Sequence, residues 1–144
     1  MWSSRKKISV VDDEPDITFT LHAILQKSGF EVSSFNDPLL ALQSFKPHYY
    51  DLVTLDIKMP KMNGFELYKK LKEKDSHVKV CFLTAVSEFR GYEQYKSNVS
   101  PKPNERYFVA KPVSEDDLVR RVNDIIANNN NHRLKNTYNN TLLK

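Results

Sequence analysis

Cysteine is almost absent from this chain: its 144 residues include one, Cys81. That excludes an internal disulfide and any metal site built from several thiolates. A lone thiol fits a reducing, cytoplasmic setting. Glycine is nearly as scarce, with only Gly29, Gly64 and Gly91. Three scattered glycines cannot form a glycine-rich phosphate loop. No window approaches 18 uncharged apolar residues, so no membrane-spanning helix is expected. Arg5-Lys6-Lys7 is followed by a four-residue apolar run, Ile8 to Val11, and then by three acids, so no signal peptide is expected. Internal repeats are lacking. A dominant charge is lacking too. The formal net charge is +4, but Arg133, Lys135 and Lys144 lie in residues 128–144, which hold no acid. Residues 1–127 carry 19 basic and 18 acidic groups. A strongly basic nucleic-acid face is therefore not indicated.

What is there suits one soluble domain. The chain has the usual length of one domain, with 40% hydrophobic and 28% charged residues. Short β-rich runs are expected at Lys7–Val11, Glu31–Phe35, Asp51–Leu55, Val78–Leu83 and Arg106–Ala110. The first, third and fourth are nearly continuous apolar, as in strands covered on both faces. Helical segments lie between them. Ile17, Leu21, Ile24 and Leu25 share one face, with Gly29 at the helix end. Pro38 opens a second helix, and Phe65, Leu67, Tyr68 and Leu71 mark a third. A weak fourth is expected around Ser87–Ser97. Ser114 and Glu115-Asp116-Asp117 start a fifth, whose stripe is Leu118, Val119, Val122, Ile125 and Ile126. Alternating strands and helices predict an α/β doubly wound domain, a five-stranded parallel sheet with helices on both faces. Residues 1–127 form this domain. Residues 128–144, with seven asparagines among 17 residues, are expected to be a disordered tail.

In such sheets the chemistry sits beyond the carboxyl ends of the strands. Four strand ends there carry a functional side chain: Asp12-Asp13-Glu14 after the first, Asp56 after the third, Thr84 after the fourth and Lys111 after the fifth. Packed together, Asp12, Asp13 and Asp56 repel one another unless a cation neutralises them. Oxygen ligands without His or Cys point to Mg²⁺ or another hard ion, which recruits phosphate oxygens. A carboxylate beside such an ion can act as a nucleophile and form an aspartyl phosphate. Lys111 and Thr84 would then meet the transferring group. Singly, each residue has a plainer reading: an acid pair caps a helix, and a Thr or Lys merely ends a strand. The order of all four along the sheet favours the chemical reading.

These residues resemble the receiver domain of two-component response regulators. The resemblance rests on Ile8–Pro15, Asp51–Leu67, Leu83-Thr84-Ala85 and Tyr107–Pro112, and covers residues 6–127. It implies a flavodoxin-like (βα)5 fold with strand order 2-1-3-4-5. It implies Asp56 as phosphoacceptor, taking a phosphoryl group from a sensor histidine kinase or phosphotransfer protein. Mg²⁺ would be held by Asp12, Asp13, Asp56 and the main-chain carbonyl of Lys58. Thr84 and Lys111 would contact the phosphoryl oxygens, with Lys58 and Val86 flanking it. Phe108 would be the switch aromatic. The signal would leave through the fourth and fifth helices and the fifth strand toward a downstream protein. No enzyme activity is implied beyond Mg-dependent self-phosphorylation and autodephosphorylation at Asp56. The chain would be a stand-alone regulator, monomeric or weakly dimeric. Alternatively it would be a phosphorelay intermediate, or a dimerising receiver with an unusual output face.

One stretch departs from the family. Thr84 and Lys111 are 27 residues apart, more than is usual, and the intervening chain includes Pro101 and Pro103. The output face is therefore expected to be reshaped. Phe89, Tyr92 and Tyr95 in this stretch are expected to pack on the sheet. Other functions fit less well. A phosphohydrolase of the aspartyl-phosphate type needs a second acid two residues after the nucleophile, where this chain has Lys58. A nucleotide- or flavin-binding module would place a phosphate against Asp12-Asp13-Glu14, which would repel it.

Overall fold

The central runs pair as parallel strands because they are covered on both faces, where only another strand can satisfy the backbone, and the more exposed second and fifth runs close the edges. The structure, a computed structural model, describes residues 5–85, 108–111 and 113–142, without the side chains of Thr84 and of residues 129–142. The strands are β1 (Lys7–Val11), β2 (Glu31–Phe35), β3 (Leu52–Asp56), β4 (Val80–Ala85) and β5 (Phe108–Lys111). They form one sheet in the order β2-β1-β3-β4-β5, all parallel. The helices are α1 (Pro15–Lys27), α2 (Pro38–Ser44), α3 (Gly64–Lys74) and α4 (Glu115–Leu142). The weak helix expected around Ser87–Ser97, with Phe89, Tyr92 and Tyr95, and the two prolines lie outside the described residues.

Two cores flank the sheet. One side is aromatic, with Phe45, Phe65, Tyr68, Phe82 and Phe108 buried beneath α2 and α3. The other is mostly aliphatic, with Ile8, Leu25, Leu52, Leu83, Leu118 and Val122 between the sheet, α1 and α4. Strand alternation makes this division: Val80 and Phe82 join the first core, Cys81 and Leu83 the second. Cys81 is fully buried, and desolvation pushes its thiol up to about 12.

Local signals fix the helix ends. Gly29, at φ 99°, follows α1, and the amides of Gly29 and Phe30 close onto the carbonyls of Gln26 and Leu25. That pair of bonds is the Schellman arrangement, which wants glycine in the left-handed position. Asp37 caps α2 by accepting the Leu39 amide at 2.9 Å. Asn63 and Glu66 form a reciprocal capping box at α3. Ser114 accepts the Asp117 amide at the start of α4. The backbone of α4 then continues as helix through Leu142, where the sequence suggested disorder from residue 128. The apolar stripe ends near Ile126, but helical backbone bonds are local and can continue past the packed face.

Candidate functional site

The carboxyl ends of β1, β3 and β5 meet at one edge of the sheet. Asp12, just after β1, is 1% exposed. Its Oδ1 accepts the Glu14 amide at 2.9 Å, and Asn36 Nδ2 donates to its main-chain carbonyl at 2.9 Å. Nothing local in the sequence singles out Asn36, since the carbonyl it donates to lies 24 residues away. Asp56 ends β3 as its last residue, one position further into the strand than expected, and is buried. Thr84 and Lys111 likewise lie inside their strands, with Thr84 paired to Ala110 and Ala85 to Lys111.

Oxygen atoms of Asp12, Asp13 and Asp56 all lie within 4.8 Å of one another. Lys111 Nζ bridges two of them, 2.8 Å from Asp12 Oδ2 and 3.2 Å from Asp56 Oδ1. Burial pulls the Lys111 ammonium down, but hydrogen bonds and charge attraction from Asp12, then Asp56, outweigh it and hold its pKa above the usual lysine value. Three carboxylates thus crowd together, two of them on buried side chains, with Lys111 between Asp12 and Asp56. Such a cluster has room for further cationic charge. The donors are all carboxylate oxygens, a set that fits a hard divalent ion and suits no soft metal.

A cleft of ≈ 480 Å³ opens onto this cluster, lined by Asp13, Glu14, Asp56, Lys58, Pro60 and Lys111 among others. Its wall depends on Gly64. A Cβ there would lie 2.4 Å from the carbonyl oxygen of Asp56, and the Gly64 amide donates to Ile57 O at 2.7 Å. The β3–α3 connection can fold back on Asp56 only because residue 64 has no side chain. Phe108, three residues before Lys111, is buried and stacks on Phe82 with ring centroids 4.7 Å apart. Phe65 lies 6.2 Å from the same ring. The structure thus brings together Asp12, Asp13, Asp56, Lys58 and Lys111, and places the Thr84 backbone beside them by strand register.

Comparison with known proteins agrees with this geometry. The profile of the response regulator receiver domain matches residues 8–123. The chain belongs to that family. A transcriptional regulatory protein, the CpxR homolog of Haemophilus influenzae, is 38% identical over 110 residues, covering 73% of this chain and 48% of that protein. The chemotaxis protein CheY of Bacillus subtilis is 29% identical over 118 residues, covering 81% of this chain and 94% of that one. The receiver spans about half the length of the transcriptional regulators it matches. Among solved structures, the response regulator TrrA of Thermotoga maritima, in complex with Mg²⁺-BeF, has TM-score 0.68 and 35% identity. That match covers 83% of this chain and 98% of TrrA. The strand order implied by the family resemblance is the observed one. No helix among the described residues is long and apolar enough to cross a membrane.

Proposed function

We propose that this receiver domain is a phosphoacceptor switch of a two-component or phosphorelay system, with Asp56 as the acceptor. The crowding of three carboxylates, two of them bound by Lys111, on an open cleft carries this reading. A carboxylate oxygen of Asp56 attacks phosphorus in a phosphohistidine. The phosphorus–nitrogen bond breaks, and the imidazole leaves with the electron pair and takes up a proton. Lys111 offsets charge on the transferring group, since it already bridges Asp12 and Asp56. Thr84 pairs with Ala110 at the same edge, which supports a contact with a phosphoryl oxygen. Asp12, Asp13, Asp56 and the main-chain carbonyl of Lys58 would hold Mg²⁺. That ion, when bound, neutralises the carboxylates and draws charge from the phosphoryl oxygens.

Phosphorylation adds roughly −1.5 to −2 charges at Asp56. Phe108, packed between the sheet and Phe65, is the aromatic through which that change reaches the surface. Its donors are a sensor histidine kinase or a phosphotransfer protein, and its output is a downstream protein target in the cytoplasm. Chemistry is confined to phosphorylation and autodephosphorylation of Asp56 itself. TrrA's complex with Mg²⁺-BeF supports the choice of ion. Incubation with acetyl phosphate and Mg²⁺ should add one phosphoryl group, read by intact mass, and Asp56→Asn should abolish it. Labelling that persists in Asp56→Asn would move the acceptor elsewhere.

A further inference from the structure

The β3–α3 connection holds a strained turn beside the cleft. Lys61 has φ 72°, and the Met62 amide donates to Pro60 O at 2.8 Å. A three-residue turn of this hand is the rare, strained γ form. A residue other than glycine keeps such a backbone only where its surroundings hold it. The flanks of this turn are held by the buried Met59 and Met62 and by the Gly64 amide on Ile57 O, and one side-chain restraint acts on Lys61 itself. Lys61 Nζ lies 3.3 Å from Asp37 Oδ2, while Asp37 Oδ1 accepts the Leu39 amide as the cap of α2. Asp37 is thus fastened to a helix start on one side and to the turn on the other. Lys58, Met59 and Pro60, which lead into the turn, line the cleft around Asp56.

We infer that the Asp37–Lys61 ion pair is a clamp that fixes the strained turn, and through it the Lys58–Pro60 wall, making both positioning residues for phosphoryl transfer to Asp56. This rests on the acceptor reading above. The pair is partly solvated, with side chains 29% and 60% exposed, so its effect is modest and sensitive to salt.

The test uses Asp37→Asn, which preserves the helix cap because Asn caps as well as Asp, and Lys61→Met, which keeps most of the stem. Each should slow phosphorylation by acetyl phosphate and Mg²⁺ about two- to fivefold at low ionic strength. The double variant should be no slower than either single one. Lys61→Arg should restore the rate, and high salt should bring the parent down to the variants. Hydrogen exchange at the Met62 amide should quicken in both variants, whatever the acceptor. Parent-like rates and exchange, strictly additive losses, or losses unaffected by salt would overturn the clamp alone. An unlabelled parent would overturn the acceptor reading and the clamp's role in transfer with it.

Discussion

Buried aspartates stand at both ends of this molecule, and their surroundings differ. At the amino ends of the strands, Asp75 is 5% exposed and accepts the His48 amide at 2.9 Å and the His77 amide at 3.0 Å. The His48 ring adds Nδ1 at 3.5 Å. One carboxylate there is met by two backbone donors on separate loops, and it joins the α2–β3 connection to the end of α3. At the carboxyl ends, Asp12 and Asp56 are as deeply buried, but both meet Lys111 and both crowd against Asp13. Burial alone does not mark a functional acid. Asp75 is held by backbone donors, whereas Asp12, Asp13 and Asp56 crowd three like charges together.

Four measurements can break or sharpen that contrast. The largest effect should come from Asp75→Ala, which leaves two part-buried amides without acceptors. A loss of about 2–4 kcal/mol in urea unfolding is expected, from the cost of unsatisfied buried donors. Asp13→Asn should cost far less, since it relieves repulsion. Equal losses would erase the distinction. Next, Mg²⁺ should raise the parent's unfolding free energy by about 2.7 kcal/mol at a hundredfold excess over Kd. It should do the same for Asp75→Asn and much less for Asp13→Asn. A parent indifferent to the ion would show that the three carboxylates form no cation site.

Gly64→Ala should cost about 1–3 kcal/mol and slow labelling, because its Cβ would press on the Asp56 carbonyl. Gly29→Ala, where a Cβ meets nothing within 4 Å but φ is 99°, should cost about 1–2 kcal/mol from backbone strain alone and leave labelling intact. The smallest effect concerns pH. The folded pKa of Lys111 lies above its unfolded value of 10.5, so its contribution is complete below 10.5 and is lost as pH rises through the folded value. Lys79, at the other end, has the opposite sign. Burial lowers its pKa to about 8, so stability should rise between about 8 and 10.5 as it loses its proton. Urea midpoints across this range should lose the upper fall in Lys111→Met and the lower rise in Lys79→Met.

Much of this was legible in the sequence, and the remainder has physical causes. The ends of β1 and β2 match their apolar runs, whereas β3 and β4 begin one or two residues late, and Arg106 and Tyr107, expected to open β5, lie outside the described residues. Continuous apolar strands carry no polar alternation to mark their ends, so pairing register decides them. The site acids stand out because each follows a nearly continuous apolar run, whereas Lys111 follows the mixed run Arg106–Ala110 and stands out by its place in the order of strand ends. Asn36, Asp37, Lys61 and Asp75 escaped notice. Their contacts cross 24 to 27 residues of chain, and nothing local to Lys61 announces a positive φ. Asp37 did leave a signal, since Asp before Pro38 is a good helix start. The prolonged α4 was illegible because asparagine has low helix propensity and no apolar stripe runs past Ile126.

The most direct test is chemical mapping of the acceptor. Treating the labelled protein with borohydride reduces an aspartyl phosphate to homoserine, and peptide sequencing locates the converted residue. Conversion at residue 56 alone, dependent on Mg²⁺, is the predicted result. Conversion at Asp12, Asp13 or Asp75, or none in protein that carries phosphate, would contradict the account.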